Sequence, residues 1–165
     1  MGSCKQIVIN LGNNINVINY FGVDTLMLYF ISKVKSTLEE QGKSIQSLFN
    51  DKIVSKNTFY KYKQRYPSLN TLIKIANYLE VSIDYLFEYS NENNFKEYHF
   101  NSVIFYNNLT SYINKKGISY RQFCKELNYS RDNLIRWKNG TEPSVQTLIE
   151  ISKYFQCLID ELICE

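Results

Sequence analysis

The chain has one histidine, His99, and six glycines scattered over 165 residues. Scattered glycines supply no phosphate-cradling loop. A lone histidine leaves a Ser-His-Asp or Cys-His system a single candidate, and the polar stretch at residues 93–99 holds nothing to orient it. No carboxylate pair stands out, so the sequence assembles no catalytic set. The four cysteines, Cys4, Cys124, Cys157 and Cys164, contain no Cys-x-x-Cys pair, which argues against a zinc site. No apolar run approaches the roughly 18 residues of a membrane span. Asn10, Asn13, Asn14 and Asn16 interrupt the apolar core that a secretion signal needs. The expectation is a cytoplasmic protein with reduced thiols, no membrane association, no metal and no cofactor. Cys124 and Cys157 fall at apolar-periodic positions and read as small core residues.

Neither sign of charge dominates, with 19 Lys and Arg against 16 Asp and Glu for a net +3. That permits a polyanionic partner without demanding one. Apolar residues at 44% and charged residues at 21% make a folding composition. The length allows one ordinary domain or two small ones.

Self-similarity selects the second option. Residues 67–88 and 143–164 share ten of 22 positions at an offset of 76, including Pro67/Pro143, Ser68/Ser144, Thr71/Thr147, Tyr78/Tyr154 and Asp84/Asp160. Upstream the offset is 75, because the second copy carries one extra residue. There Phe30, Val34 and Leu38 match Phe105, Leu109 and Ile113, while Gly42, Ser44 and Ser55 match Gly117, Ser119 and Ser130. Lys56, Lys61, Tyr62 and Lys63 match Arg131, Arg136, Trp137 and Lys138. The division that follows is an extension at 1–25, a first domain at 26–89, a polar linker at 90–101 and a second domain at 102–165.

Each copy reads as five short helices. Phe30, Val34 and Leu38, like Phe105, Leu109 and Ile113, step by four along one helical face. Gly42 and Gly117 stop that helix. Ser44 and Ser119 stand where a second helix is capped, and Ser55 and Ser130 where a third is. The Pro-Ser pairs open a fourth helix, and a short fifth follows around Ile83–Phe87 and Ile159–Ile163. Tyr62 and Trp137 fall at packing positions. Lys115 and Lys116 read as a solvated helix end. The fold class is all-α, with two tandem five-helix domains.

The order Gly-x-Ser, about ten residues, Ser-basic-x-x-apolar-x-basic-aromatic, then Pro-Ser-x-x-Thr-Leu-x-x-Ile occurs twice. It resembles the lambda-repressor-like, Xre-type helix-turn-helix family, most closely in the second copy at Ser130-Arg-Asp-Asn-Leu-Ile-Arg-Trp-Lys-Asn-Gly140. The resemblance implies binding to double-stranded DNA, with the third helix of each copy in the major groove. It places Arg131, Asp132 and Arg136 on the exposed face of that helix in the second copy, and Lys56, Asn57 and Lys61 in the first. Arg suits guanine, Asp the cytosine amino group and Asn adenine. Thr58 and Asn133 are secondary contacts. Lys43, Lys63, Arg65, Arg121 and Lys138 are phosphate candidates, as is Tyr120 through its hydroxyl.

The copies depart from the family pattern unequally. Ile45 and Tyr120 stand where a backbone-gripping Gln is usual. Asn128 can adopt the left-handed conformation expected in the turn after the second helix, whereas Ile53 is a poor substitute there. A reshaped turn is therefore expected in the first copy. Phe49 stands where a small residue is usual and Cys124 is a milder change. Residues 26–89 hold nine Lys/Arg and six Asp/Glu, and residues 101–165 hold eight and seven. These balances predict modest, steeply salt-dependent affinity for DNA.

Two domains in one chain can mimic a dimer on half-sites about 34 Å apart. The linker reaches at most ~40 Å, which leaves palindromic and direct-repeat arrangements both open. The extension carries apolar runs on either side of Gly12-Asn13-Asn14, the pattern of a β-hairpin or a disordered stretch. Strand pairing between chains, or helical surfaces, would make a homodimer. A start at Met27 would place the extension outside the natural protein. A second functional class is a protein-interaction module, an antirepressor or adaptor, using Phe49, Ile53, Tyr60 and Tyr66 of the first copy as an apolar patch.

Overall fold

A computed structural model describes the backbone at residues 6–11, 14–19 and 23–165, and side chains from Thr25 onward. Strands β1 (Gln6–Leu11) and β2 (Asn14–Asn19) pair antiparallel, from Gln6 opposite Asn19 to Leu11 opposite Asn14. Asn14, expected in the turn, thus belongs to β2. Cys4 lies outside the described residues.

The chain divides into two compact units, residues 1–97 and 98–165. The first holds α1 (Val23–Glu40), α2 (Ile45–Asn50), α3 (Lys56–Lys61), α4 (Leu69–Leu79) and α5 (Ile83–Leu86). The second holds α6 (Ser102–Lys115), α7 (Tyr120–Glu126), α8 (Arg131–Lys138), α9 (Val145–Phe155) and α10 (Ile159–Ile163). Helix α1 begins three residues before the expected domain start and buries Leu26 and Met27.

Local signals place most helix ends. Gly42 and Gly117 both take φ +68. After each, a backbone N–H closes onto the helix, Lys43 to the Leu38 carbonyl at 2.8 Å and Ile118 to the Ile113 carbonyl at 3.3 Å. Together with the bonds from the glycine N–H groups this is a Schellman stop. Ser55, Ser68, Ser119, Ser130 and Ser144 cap helices through their side chains, accepting from Thr58, Thr71, Gln122, Asp132 and Thr147 N–H. Ser44 holds the same position on α2 but makes no side-chain cap bond.

The two cores repeat each other. In the first unit the Phe30 ring lies 6.4 Å from Tyr62, edge to face, and in the second Phe105 lies 5.7 Å from Trp137 in the same way. All four are buried, as are Cys124 and Cys157. Each buried aromatic contributes about 1.5–3 kcal/mol through its apolar area. The third helix is thereby clamped from behind by the first.

A matched tyrosine fixes the second helix. Tyr78 on α4 donates to Asp51, at the end of α2, at 2.7 Å. Tyr154 on α9 donates to Glu126, the last residue of α7. Lys116 is no plain solvated end, since its Nζ donates to the Tyr154 carbonyl at 3.1 Å and lies 3.6 Å above that ring.

Residues 90–101 form no helix or strand, but they are not merely polar connection. The Asn93 side chain accepts from Ser82 N–H at 2.8 Å and donates to the Glu80 carbonyl at 3.0 Å. Tyr98 is buried and donates to Asp160 at 2.7 Å.

Candidate nucleic-acid interface

The turn between α7 and α8 is built as the sequence indicates. Asn128 takes φ 55, and Tyr129 N–H closes the turn onto the Cys124 carbonyl at 2.8 Å. Tyr129 then donates to Glu150 on α9 at 2.5 Å, which ties the turn to the core. Burial first, then Glu150, pushes its phenol well above the ordinary range.

In the first unit the reshaped turn has a specific form. Lys52, not Ile53, takes the positive φ, at 57. Ile53 N–H bonds the Leu48 carbonyl at 3.0 Å. By that bond Leu48, not Phe49, stands at the place of Cys124, because α2 ends one residue earlier than α7. The branched Ile53 is spared a conformation it adopts poorly. Phe49 is half-buried, with its ring 6.0 Å from Phe59 and 6.4 Å from Tyr60.

On α8, Leu134 and Trp137 point inward and Arg131, Asp132, Arg136 and Lys138 are exposed. Asn133 is half-buried. Ile135, which the sequence reading passed over, is 58% exposed among them. A cleft of about 450 Å³ runs along this helix, lined by Tyr106, Tyr120, Arg121, Arg131, Leu134, Ile135 and Lys138. It brings four sequence-derived candidates, Tyr120, Arg121, Arg131 and Lys138, to one place. Arg131, Ile135 and Lys138 follow the spacing of one helical face, whereas Asp132 and Arg136 occupy the neighbouring face. Tyr106 comes from α6, and no short-range pattern points to it.

The Tyr120 hydroxyl is less available than expected. It lies 3.3 Å from Thr110 Oγ1, whose own proton goes to the Tyr106 carbonyl at 2.8 Å. The Tyr106 phenol is raised above its ordinary range by burial first and then by Tyr120. Lys138 Nζ sits 5.9 Å from the Tyr106 ring centre. Behind α8, burial pushes the Cys124 thiol up against a partial counter-effect from Arg131.

On α3, Lys56, Asn57, Tyr60 and Lys61 are exposed. Thr58 is half-buried and its hydroxyl accepts from Ser55 at 2.8 Å, so it serves the cap. Lys63 and Arg65 are exposed beyond the helix end, while Lys43 lies 4.7 Å over the Tyr78 ring. Of the expected apolar patch, Phe49 and Tyr60 touch; Ile53 and Tyr66 are half-buried.

Two family profiles match the chain. Residues 33–92 match the Cro/C1-type HTH DNA-binding domain, and residues 109–162 match Helix-turn-helix. The chain belongs to the lambda-repressor-like, Xre-type helix-turn-helix family. The family's DNA-binding character makes it a DNA-binding regulator. The first helix-turn-helix unit, with its departures at Ile45, Phe49 and Ile53, is the one matched by the Cro/C1-type profile. No curated protein and no solved structure gives a significant match. Among the described residues no helix is long and apolar enough to cross a membrane, and no group of three or more His, Cys, Asp and Glu is placed to hold a metal.

Proposed function

We propose that the chain is a sequence-specific, double-stranded-DNA-binding transcriptional repressor of bacterial, phage or mobile-element origin, working in the cytoplasm. Helices α8 and α3 would each enter a major groove. The observation that supports this most is the cleft beside α8, where Arg121, Arg131 and Lys138 gather around one helix. A short helix fits a groove about 12 Å wide, and its early residues reach base edges. Arg131 and Asp132, at the start of α8, are the base readers of this scheme; Arg121 and Lys138 hold phosphate. Lys56 and Asn57 take the reading role on α3. Occupancy supports the repressor role, since a bound chain obstructs other proteins from the same duplex.

Selection from a random duplex library at near-physiological salt tests the proposal. A bipartite motif with unlike halves is the expected result, because the two helices carry different side chains. Absence of any enriched sequence would refute it.

A second reading keeps DNA contact in the second unit and gives the first unit to a protein partner. The half-exposed pairing of Phe49 with Tyr60 on α2 and α3 favours it. A single half-site in the selection, together with retention of a partner by the Tyr60 face, would select this reading. Self-association through residues 1–25 or helical surfaces is a further proposal, and sedimentation of the full chain with and without residues 1–25 decides it.

A further inference from the structure

We propose that Ile135 is a specificity residue that reads the 5-methyl group of a thymine in the half-site under α8. The inference rests on the DNA-reading role proposed above and names one base feature it detects. Ile135 is one turn beyond Arg131 and one turn before Lys138, on the same face. It is 58% exposed, while its neighbours Leu134 and Trp137 supply the core. A lone exposed isoleucine is ordinary on a protein surface. This one is not alone: with Leu134, Tyr106 and Tyr120 it lines a cleft that Arg121, Arg131 and Lys138 line as well. Such a site fits a ligand with a small apolar knob flanked by anionic charge. In duplex DNA one base places an apolar group on the major-groove edge, and that base is thymine. Phosphates supply the flanking charge for Arg121 and Lys138, while Arg131 stays on the base edge it reads.

Tyr60 holds the matching position on α3, but its ring is already engaged, 5.8 Å from Phe59 and 6.4 Å from Phe49. Methyl reading is therefore assigned to the second unit alone.

The test uses the full chain and its selected duplex, with each thymine replaced in turn by deoxyuridine, which removes the methyl group and nothing else. Competition binding should show about a fourfold loss at one position in one half-site, the worth of one buried methyl. The variant Ile135→Ala should bind the thymine and deoxyuridine duplexes within about 1.5-fold of each other, the signature of a coupled pair. Circular dichroism of the variant checks that its helices persist. The proposal is overturned if no deoxyuridine position weakens the native chain, or if Ile135→Ala keeps the native sensitivity. If no duplex is selected at all, the regulator reading itself fails and this inference falls with it, an outcome distinct from a selected duplex that ignores the methyl.

Discussion

Arg131 and Lys138 line the same cleft, yet their chemistry predicts different losses. A guanidinium at the N-terminal turn of α8 can make two parallel bonds to guanine, whereas a single ammonium at the last residue suits a phosphate oxygen. Arg131→Ala should therefore cost about 1–3 kcal/mol on the selected site and flatten the preference at one base pair. Lys138→Ala should weaken all duplexes alike and lower the salt slope by about one. Titrations of selected and scrambled duplexes over a salt series separate the two patterns; equal losses from both variants would show that Arg131 reads no base. Gly140 sets where α8 stops. Its φ of +100 is open to glycine and strained for any side chain, and Thr141 N–H closes onto the Arg136 carbonyl at 2.9 Å just beyond it. Gly140→Ala should destabilise the second unit by about 1–2 kcal/mol, read as a lower urea midpoint for its unfolding.

Helices α7 and α9 are held together by a bond whose pH limits are defined. Burial first, then the Glu126 hydrogen bond and charge, pushes the Tyr154 phenol from 10.0 up to about 12. The same bond, as the leading cause, lowers the Glu126 carboxyl below 4.5. Tyr154 is thus raised, so its contribution is complete below pH 10 and fades as pH climbs toward about 12. Glu126 is lowered, so its contribution is complete above pH 4.5 and fades on acidification. Tyr154→Phe should lower the urea midpoint by a constant amount between those limits, and the gap from the native chain should close on both flanks. A gap unchanged near pH 12 would rule out this bond as its source. Such long-range ties are also what the sequence hides. The five helices of each unit were legible because their signals are local: serine caps, Gly42 and Gly117, and apolar residues at steps of four. The ends of α4 and α9 were not, because Glu80 and Gln156 take left-handed backbone that glycine would signal. Nor was the turn at Lys52, where α2 stops one residue early. For the site, the charged residues of α8 could be read from the repeat, but the placing of Tyr106 beside Ile135 depends on how α6 packs against α8.

The two units carry different sets of exposed side chains on matched helices, and the whole chain's specificity follows from that inequality. Lys56, Asn57, Tyr60 and Lys61 face outward on α3, against Arg131, Asp132, Ile135 and Arg136 on α8. All eight are exposed, so exchanging them replaces no buried side chain, and the one packing contact given up is that of the Tyr60 ring with Phe49 and Phe59. Arginine and lysine are not interchangeable at a base edge, and aspartate and asparagine prefer different bases. The fourfold variant Lys56→Arg, Asn57→Asp, Tyr60→Ile and Lys61→Arg should therefore convert a site with unlike halves into one with two like halves. Selection and sequencing with this variant check the outcome, and the relative orientation of the like halves then reports whether the chain reads an inverted or a direct repeat. A motif identical to that of the native chain would mean that α3 contributes no base contacts. The first unit's Phe49–Tyr60 surface would then be the part of the molecule to test against protein partners.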